Sequence, residues 1–216
     1  MPKDLKRSLT IAGHRTSIAL EPEFWSALDA AARDERLHLA ALVARIDAKR
    51  GARPLAILAG WGMTSDAHHL VMPSTDQTHV ISAMRQAIET AGITPGEPGY
   101  INAHAPGTPA GDAMEAQAIR QVAEETGVSA PVSSTKGATG HLLAAAASLE
   151  LAMGVACLDR QAIPPTLNLE TIDPACDGID HVHGQYRSTP IRWVLSNAFG
   201  FGGSNCSVVI RSANKF

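Results

Sequence analysis

Apolar and polar positions alternate in part from Ser8 to Leu20. Leu9, Ile11, Ile18 and Leu20 offer one apolar face and leave Arg7, Arg15 and Ser17 to the other, with Gly13 interrupting the run. This period-two pattern predicts one short strand. After Glu21-Pro22-Glu23, acidic residues and a proline suited to a helix start, the period lengthens. Phe24, Leu28, Ala31 and Ala32 fall on one helical face that ends near Arg36. Leu39, Leu42, Val43 and Ile46 make a second helix, with Lys49-Arg50 in its last turn and Gly51 as its stop.

From Pro54 onward strands and helices alternate, the order of an α/β layer structure. Leu55 to Trp61 reads as a strand, Val80 to Ala91 as a helix ended by Gly92, and Gly99 to His104 as a strand entering a Gly/Pro-rich turn. Glu115, Ala118, Ile119 and Val122 mark the next helix, and Ala130 to Ser134 a strand. A long helix runs from His141 to about Leu158. Trp193 to Asn197 and Ser204 to Arg211 are the last strands, flanking the loop Ala198-Phe199-Gly200-Phe201-Gly202-Gly203. Between Leu142 and Leu158 only Ser148 and Glu150 are polar, so that helix is apolar on nearly every side. One sheet covers one side, and another domain or chain is expected on the other.

Composition narrows the class. The 216 residues, 45% hydrophobic and 18% charged, suffice for one core and a small extra module. No apolar run reaches the roughly 20 residues of a membrane helix, and no signal-peptide core follows Met1-Pro2-Lys3-Asp4. A cytoplasmic protein without a membrane span is expected. Cys157, Cys176 and Cys206 show neither a CxxC nor a zinc pattern, so reduced thiols and no bound metal are expected. Residues 1–53 carry ten Lys and Arg against seven Asp and Glu, and residues 54–216 carry eight against fourteen. The change of sign divides the chain into two modules at that point, the first mildly basic.

Chemistry is concentrated in the second module. His104 follows a strand, and His141 heads the apolar helix beside Lys136, Gly137 and Gly140. Neutral imidazoles at such places can be aimed at a developing negative charge, or can serve structure alone. Lys136 and Glu150 can pair across the helix start and fix orientation and protonation there. His68, His69, His79, His181 and His183 have no carboxylate or cysteine at metal-ligand spacing and read as structural or solvent-facing.

The stretch SLTIAGHRTSIALEPEFWSALDAAARDERLHLAALVARIDAKRGAR resembles the ribbon-helix-helix family. The resemblance implies a homodimer whose paired strands enter a DNA major groove, with Arg15 and Ser17 as candidate readers. An adaptor that dimerises without DNA is the alternative.

Four motifs carry a second resemblance. They are NAHAPGTP with GDAMEA (from Asn102), STKGATGH (from Ser134), IPPTLN (from Ile163) and SNAFGFGGSN (from Ser196). In this order and spacing they resemble the C-terminal half of the β-ketoacyl-acyl carrier protein synthases over about residues 54–211. The resemblance implies half of a thiolase-like α/β fold, a mixed sheet flanked by helices, and a decarboxylating Claisen condensation in fatty acid or polyketide synthesis. The substrate arrives on the phosphopantetheine thioester of an acyl carrier protein, and no cofactor is bound. His104 and His141 match the two histidines that stabilise the enolate and thioester oxygen. Lys136 matches the lysine that orients the site through an acid matching Glu150. Phe201 matches the phenylalanine that gates acyl entry, and Thr108 a hydroxyl that binds the pantetheine arm.

Departures from the family pattern matter too. Ala105 and Pro106 stand where the family has glycine and threonine, which removes one pantetheine-contacting hydroxyl and stiffens the turn. The nucleophilic cysteine belongs to the N-terminal half of the family fold, and none of the three cysteines here lies in its motif. The resemblance therefore implies an enzyme incomplete alone, served by a partner that supplies the cysteine-bearing half. The alternative is a dimeric DNA-binding or adaptor protein carrying a non-catalytic remnant.

Overall fold

The structure is a computed structural model that describes residues 6–11, 14–19, 22–49, 55–69, 74 and 76–213, with side chains from residue 25 on apart from 44 and 46–49. The chain forms two compact units, Met1–Arg53 and Pro54–Phe216.

The first unit contains two strands, β1 (Lys6–Ile11) and β2 (His14–Ala19), and two helices, α1 (Pro22–Asp34) and α2 (Leu39–Lys49). The single strand expected over Ser8 to Leu20 is therefore two. They pair antiparallel, from Lys6 opposite Ala19 to Ile11 opposite His14. Only Ala12 and Gly13 stand between them, and a two-residue connection with glycine second suits a chain reversal. The ribbon pairs two strands of one chain. Register also regroups its residues: Ser8, Thr10, Arg15 and Ser17 share one face with Lys6, whereas Arg7 falls opposite Ile18 on the other. The side chains of Arg15 and Ser17, and Gly51 as helix stop, lie outside the described residues. In the helices Trp25, Ala32 and Leu42 are buried, and Arg45 Nη2 meets Glu35 Oε1 at 2.7 Å.

The second unit is a five-stranded mixed sheet. Its strands are β3 (Ala56–Ser65), β4 (Gly99–Asn102), β5 (Val132–Ser133), β8 (Trp193–Gly200) and β9 (Ser204–Ser212), in the order β3-β9-β8-β4-β5. The pairs β3/β9 and β9/β8 are antiparallel, and β8/β4 and β4/β5 are parallel. Two short strands, β6 (Ala162–Ile163) and β7 (Arg187–Ser188), pair separately. Helices α3 (Thr78–Ala91) and α4 (Pro109–Thr126) cover one face. There Met84, Ile88, Ile101, Ile119, Trp193 and Leu195 share a core.

On the other face lies α6 (Ala146–Arg160), whose Cys157 and Leu158 join Tyr100, Val194 and Ile210 in a second core. This helix begins later than the expected His141. A one-turn helix α5 (Lys136–Thr139) comes first, and Leu143 takes a left-handed φ of 52°, which no continuous right-handed helix allows. Its residues Ala146, Glu150, Gly154, Cys157 and Leu158 are buried against the sheet, whereas Ser148, Ala152 and Ala156 are exposed. Leu142 and Leu143, just before it, are also exposed.

Strand β3 explains why glycine recurs in its sequence. A Cβ on Gly62 would lie 2.0 Å from the Ala83 carbonyl oxygen, and one on Gly60 2.4 Å from that of Ala87. The strand therefore seats directly on the α3 backbone. Leu58, Trp61 and Met63 pair with Ile210, Val208 and Cys206 and stay exposed toward the α6 side. Gly62→Ala is expected to destabilise the unit by about 1–3 kcal/mol through overpacking against backbone, read as a lower urea midpoint. An unchanged midpoint would mean that α3 can stand away from β3.

Candidate active site

His104 sits two residues beyond the last residue of β4, and its position is fixed from behind. Glu115, buried on α4, accepts the His104 N–H at 2.9 Å, the Ala105 N–H at 2.7 Å and the Asn197 Nδ2–H at 2.9 Å. Asn197 in turn accepts from the Ser207 hydroxyl at 2.8 Å. Burial pushes the Glu115 carboxyl upward, opposed by these three donors and by the charge of Lys136. One carboxylate thus joins α4, the turn after β4, and β8. Glu115 and Asn197 stand in the sequence motifs, but the motifs alone do not mark either as part of the site. The available signal was a carboxylate on the same face of α4 as Ala118, Ile119 and Val122, a burial that demands partners.

The His104 imidazole is half-buried, and burial first, then the charge of Lys136 and the nearby His141, pull its pKa down to about 3. It is a neutral ring at ordinary pH. His141 stands against it edge to face, with ring centroids 5.5 Å apart and planes at 83°. Nδ1 of His141 accepts the Leu143 N–H at 3.1 Å, so in its neutral form the ring carries its proton on Nε2. The left-handed Leu143 thereby serves to aim the second histidine. Lys136, the first residue of α5, donates to Glu150 on α6, and both side chains are almost wholly buried. The structure brings together His104, His141, Lys136 and Glu150, four of the residues singled out in the sequence.

The glycine-rich loop arrives from β8. Phe199, half-buried, places its ring 5.5 Å from that of His104 at a tilt of 56°. Phe201, in the turn Phe201–Gly203, is 75% exposed. Gly203 has φ 72°, and a Cβ there would lie 2.8 Å from that of Asp66. Asp66 holds this loop to the end of β3 by donating its N–H to the Gly203 carbonyl at 2.8 Å and accepting from Asn205 Nδ2 at 2.6 Å.

Thr108 precedes α4, and the N–H groups of Gly107 and Thr108 donate to Asp112 Oδ1 at 3.2 Å each. A cavity of about 280 Å³ lies behind this turn, lined among others by Thr108, Asp112, Glu115, Thr166, Cys176 and His181. The thiols of Cys157, Cys176 and Cys206 are free, and burial pushes each of them up, that of Cys157 to about 11. None is an activated nucleophile. Among the described residues no group of three His, Cys, Asp or Glu is placed to hold a metal ion, and no helix is long and apolar enough to cross a membrane. Two imidazoles can donate N–H hydrogen bonds to an oxygen that gains negative charge, with the Lys136 ammonium, held by Glu150, beside His104.

Comparison with known proteins identifies the family and the fold. Residues 55–170 match the family model "Beta-ketoacyl synthase, C-terminal domain", and residues 5–59 match that of the "Ribbon-helix-helix domain". The mitochondrial 3-oxoacyl-[acyl-carrier-protein] synthase of Arabidopsis thaliana is 41% identical over 166 residues, 76% of this chain and 36% of the relative. The 3-oxoacyl-[acyl-carrier-protein] synthase 2 of Coxiella burnetii is 41% identical over 162 residues, 75% of this chain and 39% of the relative. This chain thus spans less than two fifths of the length of either relative. A crystal structure of a beta-ketoacyl synthase from Burkholderia phymatum superposes with a TM-score of 0.69 at 36% identity, covering 78% of this chain and 40% of that one. A type II PKS acyl-carrier protein in complex with its ketosynthase bound to the hexaketide gives 0.70 at 34%, covering 76% and 40%. The mixed sheet flanked by helices is therefore half of a thiolase-like fold, and by its matched domain the chain belongs to the β-ketoacyl synthase family.

Proposed function

We propose that residues 54–216 supply the decarboxylating site of a 3-oxoacyl-acyl carrier protein synthase. The substrate is the malonyl thioester on the phosphopantetheine arm of an acyl carrier protein, with Thr108 along the arm. The bond from Cα to the carboxylate breaks, carbon dioxide leaves with neither electron of that bond, and the pair passes onto the thioester oxygen as an enolate. His104 and His141 donate N–H bonds to that oxygen. Lys136, held by Glu150, adds a fixed positive charge beside them. The observation that carries this reading is the edge-to-face pair of imidazoles, one kept neutral by burial.

Condensation needs more. The enolate carbon must attack an acyl thioester on a cysteine, and the free thiols here lie outside the nucleophile's motif and are pushed away from thiolate. A cysteine-bearing synthase half is the proposed partner. It would cover the apolar positions left open on the α6 side, Leu58, Trp61, Met63, Leu142 and Leu143. Three free thiols suit the reducing cytoplasm.

A second reading concerns the first unit. Its ribbon places Lys6, Ser8, Thr10, Arg15 and Ser17 on one face in register, a row of hydrogen-bond donors with two cations. One chain could then engage a nucleic acid groove without dimerising.

Two outcomes follow. The purified chain is expected to release carbon dioxide from malonyl-acyl carrier protein, with His104→Ala and His141→Ala each lowering the rate about 10²–10³-fold, as loss of an oxyanion donor does. No release by folded protein would remove the catalytic reading. For the ribbon, duplex DNA affinity is expected to fall with salt, and Arg15→Ala to lower the slope of log affinity against log salt by about one. No binding at low salt would exclude it.

A further inference from the structure

We propose that Phe199 is the positioning residue of the histidine pair, fixing the plane of the His104 ring against His141 and shielding it from water. The inference rests on His104 being a donor to the thioester oxygen, but its test does not require turnover.

Strand β8 reaches His104 twice. Asn197 binds Glu115, which holds the His104 and Ala105 N–H groups. Two residues later, on the same face of the strand, Phe199 lays its ring against the imidazole at 5.5 Å. The backbone and the ring of His104 are thus set by one rigid element. His141 touches the imidazole edge to face, and a centroid separation of 5.5 Å for each neighbour is the range in which aromatic rings orient one another. With its backbone held by Glu115, the ring has these two aromatic neighbours to set its rotation. Phe201, two residues further on, is too exposed to share this work.

The charged and titratable groups facing His104 are His141 beyond α5, Lys136 on α5 with its partner Glu150 on α6, and Glu115 on α4 behind its N–H. Burial is the largest cause of its low pKa, ahead of Lys136 and His141. Removing Phe199 leaves the charged neighbours in place and admits water, so the ring should become easier to protonate. A cation–π role for Phe199 would have the opposite sign, because its loss would then make protonation harder.

The test is the His104 titration by NMR of selectively labelled histidine, with amide spectra as the check on folding. Phe199→Ala is expected to raise its proton affinity about tenfold or more, one pKa unit upward from about 3, with Lys136 and His141 still holding it below 6.5. Phe199→Leu restores apolar bulk and is expected to rescue most of the depression while losing the ring-current shift on the His104 protons. If Phe199→Ala does not fold, that loss of ring-current shift in Phe199→Leu decides. An unchanged or lowered His104 titration in Phe199→Ala, or an unchanged imidazole shift in Phe199→Leu, would overturn the proposal. A raised titration in a chain without decarboxylation would leave it standing and remove the catalytic reading instead. Where decarboxylation is measurable, the alanine variant should acquire an acid limb in its pH profile that the leucine variant largely lacks.

Discussion

The site depends on a carboxylate that is almost wholly buried. Glu115 is only 2% exposed, and an unpaired charge at such a depth would not be tolerated. It is kept by three donors, two of them backbone N–H groups of the turn that carries His104. That arrangement makes the turn and the helix mutually dependent. On the opposite side of the sheet the Lys136–Glu150 pair plays a similar part, joining α5 to α6 in the interior. A buried ion pair is weak evidence for stability, because two desolvated charges gain little over apolar residues of the same size. Its value here is geometric: it fixes a positive charge near two imidazoles and makes the protonated form of His104 costly.

Much of this was legible in the sequence, and the exceptions have identifiable causes. Gly92 ends α3 in the left-handed conformation at φ 63°, as a glycine after an apolar helical set should. In the first unit Leu9 and Ile11 occupy odd positions, whereas Ile18 and Leu20 occupy even ones, which a single strand cannot place on one face. That change of parity across Gly13 is the mark of a hairpin: in register, Leu9, Ile11 and Ile18 share a face. The start of α6 is not legible in the sequence because its apolar pattern continues back through Leu142 and Leu143, and no composition rule reveals a left-handed leucine. Phe199 was hidden by its neighbour. Both phenylalanines share the parity of Asn197, and what separates them is the end of β8 at Gly200, which keeps Phe199 on the inward face and puts Phe201 in the turn.

The same architecture leaves apolar residues exposed on the α6 side. One side of α6 is buried on the sheet, the other shows Ser148, Ala152 and Ala156, and nearby β3 carries exposed Trp61 and Met63 toward that side. Small residues on a helix permit close approach of another element. The chain spans less than two fifths of the length of these curated relatives, and the exposed apolar positions lie on the α6 side of the sheet.

The most direct measurement is carbon–carbon bond formation on titrating this chain with a separately purified, cysteine-bearing N-terminal half of a related synthase, supplied with an acyl donor and malonyl-acyl carrier protein. The 3-oxoacyl product is expected to rise with the added half to a one-to-one end point and to vanish when the partner's nucleophile is removed. Two folded proteins that remain separate and form no product would contradict this expectation.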